Sequence, residues 1–219
     1  MTSLPLGERL IRKERPYELM ITAFQQYSDA KAPITFGLIG FVGGIFIGEI
    51  FLATLIGTSS VEIFATGLFK LYPMIAWPLA PFLHQGVVHF TSNVVGLILF
   101  GLPVEDELSS RQYAVFSVVV AALSTALGAV LMASGTTKPI AFYGISGVVY
   151  ALAGFAFVHF ATHESRMEVI EWIAFVGGAA AVLHVGFDVL TGLLISGNTI
   201  NGGHLTGLIV GISVSRLRK

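Results

Sequence analysis

The 219-residue chain is 54 % hydrophobic and only 11 % charged, and its mean hydropathy of +0.82 describes a protein whose solvent is mostly lipid. With no cysteine it has no disulfide framework, thiolate metal site or cysteine nucleophile. A formal net charge of -1 argues against nucleic acid as a partner, because phosphate binding requires a basic face.

Residues 1–33 are polar and mixed in charge and lack the short apolar core of a cleavable signal, so they are expected to form a cytoplasmic N-terminal segment. Apolar runs long enough to cross a core of roughly 30 Å then fall at 34–56, 83–102, 113–133, 142–161, 172–195 and 203–217. If the N-terminus is inside, the inner side carries Arg9, Arg12, Lys13, Arg15, Lys31, Arg111, Arg166, Arg216, Arg218 and Lys219, and the outer side only Lys70 and Lys138. By the positive-inside rule this predicts an all-α membrane protein of six transmembrane helices with both termini cytoplasmic, a multi-pass protein of the cell membrane. No internal repeat or second linker interrupts 34–217, so it reads as one domain.

Inner connections at 104–112 and 162–171 are short and charged and read as solvated turns. The outer connection at 57–82 is long and apolar, with Phe64, Phe69, Trp77 and three prolines, as suits the membrane interface. Gly40, Gly44 and Gly48 in the first run, and Gly203, Gly207 and Gly211 in the last, stand four apart and would let helices approach closely.

Polar residues inside apolar runs are expensive and therefore informative. The second run begins with His84, His89 and Asn93, the last two sharing a helix face; the fourth begins with Ser146, and the sixth with His204. All three runs point the same way across the membrane. From His89 to Pro103, Ser146 to Glu164 and His204 to Arg216 there are 14, 18 and 12 residues, or about 18 to 27 Å at roughly 1.5 Å per residue. The groups should therefore meet a little below the outer surface. Singly, each has a structural use: a histidine can donate to a carbonyl, an asparagine can join two helices, and a serine is small. Together they supply a hydroxyl nucleophile, an imidazole base and oxyanion donors, the requirements of acyl transfer. Gly144-Ile145-Ser146-Gly147 keeps the hydroxyl between small neighbours, although Val148 stands where the last glycine of a soluble hydrolase elbow would be.

The stretches His84-Gln85-Gly86-Val87-Val88-His89-Phe90-Thr91-Ser92-Asn93, Gly144-Ile145-Ser146-Gly147-Val148-Val149-Tyr150 and Gly202-Gly203-His204-Leu205-Thr206-Gly207, in that order, resemble the rhomboid intramembrane serine proteases. The resemblance extends over all six runs. It implies a six-helix rhomboid-like bundle and a serine endopeptidase without cofactor or metal, acting on single-span membrane protein substrates near their outer end in the lipid bilayer. It also implies Ser146 as nucleophile and His204 as base, an oxyanion site of Asn93, His89 and the Ser146 amide, and Tyr150 packed beneath the histidine. His84, Gly144 and Gly147 would be supporting residues. A dyad without an acid works when its imidazole is neutral, which a low-dielectric setting favours.

Two features depart from the family pattern. Many rhomboids carry Trp-Arg in the first outer loop, to which the nearest match here is Trp77-Pro78, two residues closer to His84 than usual, and Gly203 replaces a frequent alanine. Residues 196–202 resemble the cap over such sites, with Gly197 and Gly202 permissive for movement. The remaining intramembrane polar residues, Glu49, the His159/His163 pair, and His184 with Asp188, read as structural. The alternatives are a non-catalytic rhomboid-like protein that binds transmembrane helices, against which the intact Ser146 and His204 stand, and a metal transporter using His84, His89 and His204, for which no inverted repeat is visible.

The topology has a direct check. Cysteines introduced as Ser3→Cys and Lys219→Cys should be protected from an impermeant label in intact cells, and labelling of either would overturn the orientation.

Overall fold

A computed structural model of the chain describes residues 32–57, 79–133, 143–162, 167–195 and 200–218. Among these, six long helices follow one another and no strand occurs: α1 Pro33–Ile56, α2 Val87–Glu107, α3 Ser110–Ala133, α4 Ser146–Ala161, α5 Val169–Leu194 and α6 Gly202–Leu217. The expected all-α membrane bundle is what the chain forms. Residues 1–31, nearly all of the outer connection at 57–82, and 196–199 of the expected cap lie outside the described residues, as does His163.

Helices α1, α2 and α5, and α3 over Ser110–Leu127, are long and apolar enough to cross a membrane. Helices α4 and α6 have 16 residues each, about 24 Å, which is short of a core of roughly 30 Å. The difference follows from position. Eleven residues of α4 are buried within the protein, whereas α1 and α5 turn Ile47, Phe51, Leu183 and Phe187 outward. Such apolar side chains belong against lipid.

Helix α2 starts later than the apolar run that encodes it. A 3-10 turn at Ala80–Phe82 gives way to extended backbone at Leu83, and Gly86 at φ 137° precedes the first turn, a conformation that glycine adopts without steric cost. His84 therefore lies in the approach to α2 and not on its face. Its backbone N–H donates to both carboxylate oxygens of buried Glu49, at 3.2 and 3.1 Å, which ties that approach to α1. Further along, Leu97–Gly101 widens into a π turn ahead of Pro103, whose ring would press on the carbonyl four residues back in a regular helix.

Glu105 corrects the expectation of a solvated inner turn. It is buried, and its two oxygens accept the backbone N–H groups of Ile34 and Thr35 at 2.8 and 2.7 Å. The first N–H groups of a helix have no partner inside it, and here the carboxylate supplies one while facing the positive end of the helix dipole. The Thr35 hydroxyl bonds that of Tyr113 at 2.9 Å, joining α1 to α3.

The two glycine series differ. A Cβ on Gly207 or Gly211 would run into the backbone carbonyl of Gly147 or Ala151, and one on Gly154 would lie 2.7 Å from the Leu208 carbonyl oxygen, so α4 and α6 touch backbone to backbone. On α1, Gly40, Gly44 and Gly48 have nothing within 4 Å of a Cβ among the described residues, and the expected close approach is absent there. Accordingly Gly211→Ala should destabilise the detergent-solubilised protein by about 1–3 kcal/mol through overpacking. Gly44→Ala should be neutral, or stabilising by the roughly 0.5–1 kcal/mol that alanine gains over glycine in a helix. Thermal melting of the two variants side by side checks both.

Candidate active site

Ser146 is the first residue of α4, with Ile145 preceding it as the N-cap. Its amide is thus among the N–H groups that a helix start leaves without an intrahelical acceptor, and its hydroxyl lies at the positive end of the helix dipole. His204 is the third residue of α6, whose start is fixed by Asn201: that side chain accepts the His204 backbone N–H at 3.1 Å. Because α4 and α6 cross in backbone contact at Gly207, one turn beyond His204, their two starts lie side by side. Ser146 Oγ and His204 Nε2 are 3.1 Å apart, although 58 residues separate them in the chain.

The imidazole is held by its surroundings on one face. The ring of Tyr150 stacks on that of His204 with centroids 4.1 Å apart and planes 16° from parallel. The Tyr150 hydroxyl is in turn 2.8 Å from His184 Nδ1 on α5. Nδ1 of His204 is buried and has no hydrogen-bond partner among the described residues.

His89 and Asn93 occupy one face of α2 beside the Gly144 turn. Gly144 has φ 100°, its N–H donates to the Ala80 carbonyl at 2.9 Å, and a Cβ there would lie 2.6 Å from His89 Cε1 and 3.4 Å from Asn93 Nδ2. Only glycine meets both conditions. Gly147 is confined in the same way, since a Cβ would collide with the Ser124 side chain of α3. Asn93 is 4 % exposed and its Nδ2 donates to nothing among the described residues. His84 packs against His89 with ring centroids 5.2 Å apart, and its Nδ1–H donates to the Phe82 carbonyl, 3.1 Å away.

Two cavities meet at the serine. The smaller, about 280 Å³, is lined by His89, Ser124, Tyr143, Gly144, Ser146, Asn201 and His204. The larger, about 470 Å³, lies between α2, α4 and α5 and is lined by Asn93, Val95, Leu99, Ser146, Ala181 and His184 among others. One is polar enough to hold water, and the other is walled mainly by apolar side chains.

The family model of the Rhomboid domain matches residues 70–218. The chain belongs to the rhomboid family. It is 31 % identical over 136 residues to the rhomboid protease GlpG of Serratia proteamaculans (strain 568), covering 62 % of this chain and 45 % of that protein. It is 29 % identical over 154 residues to the rhomboid protease GlpG of Enterobacter sp. (strain 638), covering 64 % of this chain and 52 % of the relative. The chain thus spans about half the length of these curated relatives. Family membership and the apolar helices together make it an integral, multi-pass membrane protein.

In this rhomboid the sequence-derived residues Ser146, His204, His89, Asn93, Gly144, Gly147 and Tyr150 all gather at the two cavities or their walls. His84 stands behind His89. His159 sits apart, toward the other end of α4, with Nε2 3.0 Å from a carboxylate oxygen of Glu107. Three neighbours of the site were not among the site residues expected from sequence. Asn201 carried a usable signal, an N-cap residue directly before the helix of His204. Ser124 of α3 stood in an apolar run with no motif around it. His184, read as structural, reaches Tyr150 only because α5 packs along α4.

Proposed function

We propose that this rhomboid is an intramembrane serine endopeptidase of the cell membrane, cleaving single-span membrane protein substrates near their outer end. The reading rests on one observation, the 3.1 Å approach of Ser146 Oγ to His204 Nε2 at the paired starts of two short buried helices beside a polar cavity. A neutral His204 takes the Ser146 proton as Oγ attacks the scissile carbonyl carbon. The oxyanion that forms is met by the Ser146 amide, Asn93 and His89, of which Asn93 Nδ2 is a buried donor with no competing acceptor among the described residues. As the C–N bond breaks, the proton on His204 passes to the leaving amine. Water then attacks the acyl-enzyme, gives its proton to His204, and the proton returns to Ser146.

The stack on Tyr150 keeps the imidazole plane fixed through both proton transfers, and Gly144 leaves room for His89 to turn toward the oxyanion. The larger, mainly apolar cavity suits a substrate helix arriving from lipid, and the polar one suits the water that deacylates. Neither a metal nor a cofactor enters these steps.

Purified protein should cleave a transmembrane substrate without added metal and react with a fluorophosphonate at Ser146. Ser146→Ala should abolish both, EDTA should lower neither, and Asn93→Ala should reduce kcat by about 100- to 1,000-fold with little change in KM. Cleavage that persists in Ser146→Ala, or disappears with EDTA, overturns the mechanism.

The substrate requirement follows from the bond being cut. A peptide bond within a helix is hidden, and its release in lipid leaves unsatisfied groups costing several kcal/mol each. Glycine or proline near the outer end of the substrate lowers that cost. Replacing such residues with leucine should slow cleavage, and equal rates for the two substrates would show that local unwinding does not limit the reaction.

A further inference from the structure

Helix α5 carries two polar side chains one turn apart, His184 and Asp188, on the side facing His204. One ligand atom from each of these three residues lies within 4.8 Å of the other two. The Tyr150 hydroxyl is 2.8 Å from His184 Nδ1, so in the Nδ1–H tautomer that nitrogen donates to tyrosine and Nε2 keeps its lone pair for a metal. This is how an outer partner orients a metal-binding histidine. On His204, Nε2 faces Ser146, and Nδ1 is buried without a hydrogen-bond partner among the described residues. The larger cavity is lined by both histidines, so an ion and its remaining water have room. A carboxylate and an imidazole on an apolar helix are expensive in a membrane, and neither takes part in the steps of the dyad.

We propose that His184, Asp188 and His204 form a site for a divalent transition metal of the Zn²⁺ class, and that filling it switches the protease off. Two imidazoles and one carboxylate are a donor set suited to Zn²⁺, with a fourth position left for water. Ligand atoms around one tetrahedral ion lie ~3.3 Å apart, given bonds of about 2.0–2.1 Å. Exposed His184 and half-buried Asp188 have the freedom to close that distance.

The inhibition follows from the ring's single proton. An ion on His204 Nδ1 takes that lone pair, the proton then resides on Nε2, and Nε2 donates to Ser146 Oγ where it would have to accept. An ion on Nε2 removes the accepting lone pair directly. Either way the base is lost without a change in fold. The switch rests on the serine-protease reading, whereas the metal site does not.

The test separates the two. Tag-free Ser146→Ala protein is titrated calorimetrically with Zn²⁺ alone, before and after adding His184→Ala or Asp188→Asn, and melting confirms that each variant is folded. One ion per chain should be lost or weakened by more than ~10-fold, since even an outer-sphere change costs about 10- to 100-fold in metal affinity. In protein with Ser146 intact, Zn²⁺ should stop cleavage and EDTA should restore it. The half-inhibitory concentration should rise at least ~10-fold in either α5 variant, each rate being normalised to its own Zn²⁺-free value. Zn²⁺ binding that is the same with and without the α5 substitutions overturns the site. Site-specific binding with cleavage indifferent to Zn²⁺ overturns the switch. Binding as expected in a protein that never cleaves supports the site and overturns both the switch and the protease reading beneath it.

Discussion

Backbone contact between α4 and α6 is the constraint on which the rest of the structure depends. Lipid gives apolar helices no hydrophobic reason to associate, so association rests on close packing and on hydrogen bonds. Gly207 and Gly211 lie against Gly147 and Ala151 with no space for a methyl group, and Gly154 faces Leu208 in the same way. Two helices that close have one favoured register. That register sets the first turn of α4 beside the first turn of α6, and the 3.1 Å separation of Ser146 Oγ and His204 Nε2 is its consequence.

Around this pair, buried polar groups act as fasteners between elements distant in sequence. Glu105 closes the start of α1 through two backbone N–H groups, and Glu49 holds the approach to α2 through the His84 amide. A carboxylate in such surroundings is tolerable only when its oxygens are satisfied. Their placement has a functional side. By locating the approach to α2, Glu49 also determines where His84 rests against His89, and hence how the α2 face that bears His89 and Asn93 meets the Gly144 turn.

The site itself is the region least satisfied in polar terms. Asn93 Nδ2, His84 Nε2 and His204 Nδ1 are buried without hydrogen-bond partners among the described residues. Elsewhere the buried hydroxyls of Ser117 and Ser215 also have no partner among the described residues, whereas Ser124 and Thr125 donate to the Ala121 carbonyl and Thr206 donates to that of Gly202. Orphan groups of this kind are rare in native proteins and call for a reason. Under the proposed mechanism a developing oxyanion would satisfy Asn93, and in the proposed metal site a bound ion would satisfy His204 Nδ1. The packing energy of the α4–α6 contact is what permits such a concentration of unsatisfied groups to persist.

What the sequence by itself determined were the quantities carried by local composition. Apolar run length yields the six helices, and the three polar motifs, each opening a run, identify Ser146, His204, His89 and Asn93 as candidates, because a polar residue in a lipid-soluble stretch stands out wherever it later packs. Tertiary structure decided what depends on partners far along the chain. An apolar run does not reveal that α2 begins at Val87, since the boundary is set by Gly86 and by the Glu49 contact. A charged stretch does not reveal that Glu105 turns inward to α1 while Asp106 beside it is exposed. Equal glycine spacing does not distinguish α6, where Gly207 and Gly211 meet a backbone, from α1, where Gly40, Gly44 and Gly48 have nothing described within 4 Å of a Cβ. Nor does any motif join His184 to Tyr150, 34 residues away. Spacing within a helix is local and legible, whereas the choice of which face meets which neighbour is made only when the helices pack.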